Sequence, residues 1–254
     1  MEHSRSTLPY IDRHKARGPD YDETFSPELN PYRAMMWRLE QEALDATLRD
    51  HLASGRVSLL DFACGTGRIL GHFHGQVASA TGVDVSPSMM EVARKAAPNA
   101  ELIEADLSQK DTLGERSFDL ITAFRFFPNA EPELRRSVLV VLARHLAPNG
   151  LLVFNNHKNR NSLTRRISRL LGRAITRGTM SHEEVEALLA SAGLRIQTMV
   201  PLGTLPLSDR HLLLPVRLLE RLERWFSRVP SLSGLAQNVI YVCVPSKPPA
   251  GSRA

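Results

Sequence analysis

The sequence predicts a doubly wound α/β fold, and three observations carry that prediction. Short apolar runs recur along the chain, a helical pattern follows most of them, and turns marked by glycine or proline separate the units. At 254 residues, with 43% apolar and 23% charged side chains, the chain suits one elaborated domain built from such units. No run approaches the roughly 20 apolar residues of a membrane-spanning helix. Cys64 and Cys243 stand alone, outside any CxxC or Cys/His cluster, which excludes a disulfide framework and a zinc module; no metal is expected. The first 22 residues are polar and lack the apolar stretch of a signal peptide, so the cytoplasm is the expected compartment.

Residues 1–31 hold Pro9, Gly18, Pro19, Pro27 and Pro31 among charges, a composition that suits an N-terminal arm or lid rather than a long helix. From Tyr32 to Leu52 the residues Met36, Leu39, Ala43, Leu48 and Leu52 recur at near-helical spacing and predict an amphipathic helix. Val57 to Ala63 is a first strand, and Gly65 and Gly67 turn it into a helix at Arg68. The unit repeats: Ala78 to Val85 is a strand, Ser86 an N-cap with Pro87 at the first helical position, and Ser88 to Ala97 the helix. A third strand covers Glu101 to Ala105 and a fourth Phe118 to Phe124.

A helix is predicted from Glu131 to Leu146, ended by Pro148-Asn149-Gly150, followed by a fifth strand over Leu151 to Phe154. Ser181-His182-Glu183-Glu184 reads as a capping box with its helix running to Ala192, and Gly193 closes it. Leu194 to Val200 and Val239 to Val244 are two further strands. The principal domain is thus read as 32–246, interrupted by insertions at 158–180 and 201–236, with 247–254 as a disordered tail.

Chemistry is concentrated at the carboxyl ends of the strands. A strand ending in Gly65-Thr66-Gly67 before a helix lets backbone approach a ligand closely and presents free N–H groups to it. A dinucleotide fingerprint would need glycine at 70, where Leu70 stands. Asp84 ends the second strand, where a carboxylate can accept both hydroxyls of a ribose held against the first turn. Together the two motifs imply a nucleoside ligand.

Across Val57 to Asn156, LLDFACGTGRIL, TGVDVSPSMMEVAR, EADL, FDLITAF and LARHLAPNGLLVF occur in an order and spacing that resemble class I S-adenosylmethionine-dependent methyltransferases of the ubiquinone-biosynthesis-like group. The resemblance implies a Rossmann-like sheet of seven strands, order 3-2-1-4-5-7-6, with Val239 to Val244 as the antiparallel seventh. It also implies S-adenosyl-L-methionine as cofactor. Carried over, Gly65 and Gly67 contact the methionine part, Asp84 the ribose and Asp106 the adenine amino group, while Asp61 braces the turn and the amino end. Val85 and Leu107 are counted with the acids they follow. Phe124 and Arg125, with Phe126 and Phe127, border the methionine part. Ala63 departs from the family, which usually has glycine there.

Methyl transfer from a sulfonium is an in-line displacement, so alignment dominates and no fixed catalytic residue is required. His157, after the fifth strand, is the candidate base for a hydroxyl acceptor, and Tyr10, Tyr21 and Tyr32 could reach over the cofactor from the arm. Residues 158–177 carry seven bases and no acid around Leu163, Ile167, Leu170, Leu171 and Ala174. The second insertion places Leu212 to Leu214, Leu218, Leu219, Leu222, Trp225 and Phe226 among Arg217, Arg221, Arg224 and Arg228. Both read as basic amphipathic helices capping the acceptor side. The net charge of +5 favours anionic partners. The expectation is methyl transfer to a small-molecule or lipid-like acceptor, oxygen ahead of nitrogen or carbon and anionic in character, with peripheral membrane contact through the insertions. Alternatives are a nucleic-acid methyltransferase, for which no RNA-binding module or Asn-Pro-Pro-Tyr motif is present, and a cofactor-binding protein without turnover.

Overall fold

The computed structural model describes residues 9–15, 26–172, 179–205 and 215–246. Tyr21, Leu212 to Leu214, Arg173, Ala174, Arg177 and the tail at 247–254 lie outside them. In chain order the elements are α1 (Tyr10–Lys15), α2 (Pro31–Leu52), β1 (Ser58–Phe62), α3 (Arg68–His72), β2 (Ser79–Asp84), α4 (Pro87–Ala96), β3 (Glu101–Glu104), β4 (Phe118–Ala123), α5 (Pro132–Arg144), β5 (Leu146–Asn156), α6 (Leu163–Leu170), α7 (His182–Ser191), β6 (Leu194–Leu202), α8 (Val216–Phe226) and β7 (Asn238–Pro245).

Seven strands form one sheet in the order β3-β2-β1-β4-β5-β7-β6. β1 to β5 run parallel, and β7 is antiparallel to both β5 and β6. Alternation along each strand sorts side chains into two cores, because successive Cβ atoms point to opposite faces. Leu59, Leu120, Val153, Ile240 and Val242 pack with α2 residues such as Met35, Leu44 and Leu48. Leu60, Ile121, Leu152, Phe154 and Tyr241 pack on the other face with Val138 and Leu142 of α5 and Val185 and Leu189 of α7. Strands covered on both sides must be apolar at nearly every position, which is why β1 and β4 read as continuous apolar runs.

The capping box at Ser181 is complete: its hydroxyl accepts from the Glu184 N–H, and Glu184 returns a bond to the Ser181 N–H at 2.7 Å. One boundary differs from expectation. Pro148-Asn149-Gly150 does not separate a helix from a strand starting at 151; β5 already begins at Leu146, opposite Phe118, and pairing resumes with Leu151 opposite Leu120. Ala147 to Gly150 therefore bulge out of the ladder. Gly150 is needed there, since a Cβ would lie 2.9 Å from both Leu146 Cδ1 and the Phe118 carbonyl oxygen.

The two insertions behave differently. Asn159 ties the first to the domain: its Nδ2 donates to the carbonyls of Ser233, Gly234 and Ala236. From this anchor α6 projects with none of its side chains buried; Leu170 is 87% and Leu171 61% exposed. The second insertion starts later than expected because β6 continues to Leu202. Its helix α8 docks on α2, where Arg224 grips Glu42 with bonds of 2.7 and 2.8 Å and Arg38 pairs with Glu220. Glu223 is buried beneath it and accepts the N–H groups of Thr204 and Leu205. No described helix is long and apolar enough to cross a membrane.

Candidate active site

A cavity of about 560 Å³ opens at the carboxyl ends of β1, β2, β4 and β5, the edge at which open α/β sheets hold their ligands. The turn after β1 forms its floor. Cys64 N–H reaches the Val83 carbonyl and Gly67 N–H reaches the Cys64 carbonyl, while Gly65 N–H donates to Asp84 Oδ2 at 2.8 Å. Asp84 Oδ1 accepts the Ser86 N–H at 2.9 Å. The brace on the turn is thus Asp84, whereas Asp61 accepts the Thr122 hydroxyl at 2.7 Å.

Both acids are buried and both line the cavity. Burial pushes Asp61 up to about 7, against the lowering effect of the Thr122 bond, with a further rise from the neighbouring Asp84 charge. Burial raises Asp84 as well, opposed by the Gly65 and Ser86 N–H groups. Two carboxyls disfavoured as anions at one floor would be relieved by a cation and by hydroxyl donors.

Gly65 lines the cavity at φ +55°, but Gly67 does not line it. Packing by itself requires glycine at 67: at φ +79° its missing Cβ faces Ala93 of α4, whose Cα and Cβ are 2.9 Å from where it would lie. Ala63 has φ +56°, a left-handed conformation that glycine holds more easily, and it borders the cavity. The position where the family usually has glycine is therefore strained by alanine.

Arg125 is the second non-glycine residue at positive φ, +61°. Its N–H donates to Asn155 Oδ1 at 2.7 Å and its carbonyl accepts from Asn129 Nδ2 at 2.6 Å. Asn155 in turn donates to Glu40 Oε1, which also receives Asn238 Nδ2, and the Arg125 guanidinium lies 3.5 Å from Glu40 Oε2. This buried network turns the chain after β4 into the cavity, and Phe124 and Arg125 both line it. Phe126 and Phe127 belong to an aromatic ladder with Phe62, Phe154 and Tyr241. Sequence reasoning missed Glu40, Asn129, Asn155 and Asn238. A signal existed: Glu40 falls on the otherwise apolar face of α2, and two amides end the apolar β5.

His157 lines the cavity. Burial, then the charges of Arg125, Lys158, Arg68 and Arg165, hold it well below the usual histidine range, so the ring is neutral. Its Nε2 is 3.5 Å from Asn129 Nδ2, and its buried Nδ1 has no hydrogen-bond partner among the described residues. Tyr10 and Tyr32 also line the cavity, whereas no described residue of α8 does. A second, smaller recess shares Tyr10, His14, Ala63 and Asp84 with the first and adds Val85, Asp106, Leu107 and Phe126. Asp106 there accepts the N–H and hydroxyl of Ser108 at 3.0 and 2.6 Å.

These residues fit S-adenosylmethionine. The raised Asp61 suits an ammonium, Asp84 retains lone pairs for ribose hydroxyls, and the apolar recess with Asp106 at its edge suits a base. A Cβ at Gly65 would sit at φ +55° and press the flexible end of Met89, whose Cε would lie 3.1 Å away.

Residues 59–150 match a family model described as a methyltransferase domain. The dTDP-4-amino-2,3,4,6-tetradeoxy-D-glucose N,N-dimethyltransferase of Saccharopolyspora spinosa is 32% identical over 153 residues, 59% of this chain and 59% of that relative. The dTDP-3-amino-3,4,6-trideoxy-alpha-D-glucopyranose N,N-dimethyltransferase of Streptomyces venezuelae is 35% identical over 98 residues, 38% of this chain and 40% of the relative. The chain thus spans roughly half the length of these relatives. Among solved structures, magnesium protoporphyrin IX methyltransferase from Synechocystis PCC 6803 with bound SAH shares the fold at TM-score 0.64 and 15% identity, over 95% of this chain and 100% of that one. Motif order, sheet order and the cavity at the carboxyl edge agree with the family match: residues 59–150 lie in a methyltransferase domain, on the fold shared with the solved methyltransferase structure.

Proposed function

We propose that the protein transfers a methyl group from S-adenosylmethionine to a small-molecule or lipid-like acceptor held at the carboxyl edge of the sheet. The observation that carries this reading is the cavity that gathers Asp61, Asp84, the Gly65 turn and His157 into one space. When bound, the cofactor supplies an electrophilic methyl group on a positively charged sulfur. Asp84 holds ribose hydroxyls, Asp61 faces the ammonium, and Val85, Asp106 and Leu107 border the adenine. Phe124, Arg125 and Tyr32 wall the remaining space and exclude water, which favours alignment of the reacting groups.

A hydroxyl acceptor uses His157 fully, because a neutral imidazole can take the acceptor proton. Nitrogen is the second reading, supported by the two relatives, both N,N-dimethyltransferases of dTDP-linked amino sugars. The test is calorimetry with S-adenosylhomocysteine (SAH), then methyl-labelled cofactor with hydroxyl, amine and RNA acceptors in parallel. A hydroxyl mechanism predicts that His157→Ala lowers kcat by about 10²- to 10⁴-fold while SAH affinity holds. Labelled RNA would favour the nucleic-acid alternative, and SAH binding without any labelled product would leave a binding protein.

Peripheral membrane contact is supported by Ile167, Leu170 and Leu171, exposed beside Arg166 and Arg169 on and just after α6. That pattern suits an anionic lipid surface. Co-sedimentation with anionic vesicles, released by salt, is expected; equal binding to neutral vesicles, or none to anionic ones, refutes it.

A further inference from the structure

We propose that the cavity contains, on the side away from Asp84, a subsite for a hydrogen-bond donor of the acceptor, a hydroxyl or amino group, formed by Asn238 Oδ1 opposite His157 with the Gln237 amide beside them. The inference rests on the methyltransferase reading and narrows its acceptor to molecules that carry such a group. β7 pairs antiparallel with β5, from Leu152 opposite Cys243 to Asn156 opposite Val239. Continued one step, this register sets His157 opposite Asn238, and residues opposed across a ladder share a face of the sheet. Both line the cavity, as does Gln237. Four strand spacings of about 4.8 Å each separate β7 from β2, so this pair belongs to the acceptor side of the cavity rather than to the ribose at Asp84.

The buried Glu40 fixes which atom Asn238 offers. Asn238 Nδ2 donates to Glu40 Oε1 at 2.7 Å, and the same oxygen receives Asn155 Nδ2 at 2.9 Å. Turning the Asn238 amide over would set oxygen against oxygen, so Nδ2 stays on Glu40 and Oδ1 is left as an acceptor. Asn238 is only 4% exposed, and its Oδ1 has no hydrogen-bond partner among the described residues. The same holds for the buried Gln237 Oε1 and His157 Nδ1. Gln237 is held by its backbone, whose N–H reaches the Gly203 carbonyl and whose carbonyl accepts the Asn159 N–H, which leaves its side chain to the cavity wall. Buried polar atoms are nearly always bonded once their ligand or water is counted, and three on adjoining residues of one cavity mark a place for a polar group. An acceptor-only oxygen selects a partner that brings a proton, an O–H or N–H rather than an ether or a tertiary amine. The imidazole nitrogen of His157 then lies beside that same group.

The experiment titrates phenol, aniline and fluorobenzene into the protein, with and without saturating SAH, while following the Asn238 side-chain amide and His157 ring resonances by NMR. Fluorobenzene is close to the other two in size, more apolar, and carries no donor. Phenol or aniline should bind the SAH-loaded protein saturably and about tenfold more tightly than fluorobenzene, with shifts at Asn238 and His157. Preference for phenol alone assigns a hydroxyl, for aniline alone an amino group, and for both a donor of either kind. Asn238→Ala should bring the ratio of donor probe to fluorobenzene close to one. A merely structural loosening of the Glu40 network would weaken all three probes together and leave that ratio unchanged. Should Asn238→Ala fail to fold, the parent protein decides: donor probes that bind without moving the Asn238 amide overturn the subsite. It is also overturned by absence of binding, by equal binding of all three probes, by a ratio unchanged in a folded Asn238→Ala, or by displacement of phenol and aniline by SAH. Displacement would assign the Asn238 oxygen to the cofactor's ammonium. Failure of SAH itself to bind is a different result and overturns the methyltransferase reading.

Discussion

Gly67→Ala tests whether the glycine turn is set by packing or by the ligand. At φ +79° an L-residue costs about 1–2 kcal/mol relative to its right-handed conformation. The added Cβ would also lie 2.9 Å from both Ala93 Cα and Ala93 Cβ, well inside the roughly 3.5–4.0 Å optimum for carbon pairs. Ala93 is backbone and methyl of α4 and cannot rotate away, so overpacking adds about 1–3 kcal/mol. The total is about 2–5 kcal/mol. Gly75→Ala isolates the first contribution, because Gly75 has nearly the same φ, +77°, and nothing within 4 Å of its Cβ position. The difference between the variants is therefore about 1–3 kcal/mol, which for a chain of this size lowers Tm by roughly 2–12 °C more at Gly67 than at Gly75. Calorimetric unfolding of both variants measures it, with SAH affinity as a second readout. Affinity per folded molecule should stay within about threefold of the parent, because Gly67 does not line the cavity. Equal Tm values for the two variants, or a stable Gly67→Ala that fails to bind, would refute the packing argument.

Asp61, pushed to about 7, gives S-adenosylmethionine binding a pH dependence: affinity should rise as pH climbs through about 7, because only the ionised carboxylate attracts the ammonium, and Asp61→Asn should flatten the profile. The same shift works against stability in the opposite sense. The folded protein keeps a proton that the unfolded chain releases, so stability from this group is full below about pH 4 and lost as pH rises to about 7, visible as a Tm trend that Asp61→Asn removes. Ala63→Gly exchanges left-handed strain for the greater chain entropy of glycine, so Tm should rise by up to about 2–4 °C or hold level; a clear fall would show that the φ of +56° carries no strain. Ser181→Ala removes the hydroxyl that accepts the Glu184 N–H and should destabilise the protein by about 1 kcal/mol in thermal unfolding, without altering SAH binding.

By itself the sequence determined the alternation of strands and helices, the turn at Gly65 and the acid at Asp84. Each depends on local chemistry: two-sided burial demands continuous apolar strands, a strand-to-helix turn demands glycine, and a cap demands Ser181 with Glu184. Motif order also determined the likeness that orders the seven strands. Only the tertiary structure decided which groups share a volume. Glu40, Asn155 and Asn238 are far apart in the chain and meet because α2, β5 and β7 pack together, and their network holds Arg125 at positive φ. Sequence shows that Gly67 lacks a Cβ but not what stands opposite it, and that neighbour, Ala93, is 26 residues away. The two basic insertions read alike, yet α8 docks on α2 through Arg224 and Glu42 while α6 stands exposed with Arg165 at the cavity. Amphipathic periodicity specifies a face; what covers that face depends on distant residues that only folding brings near.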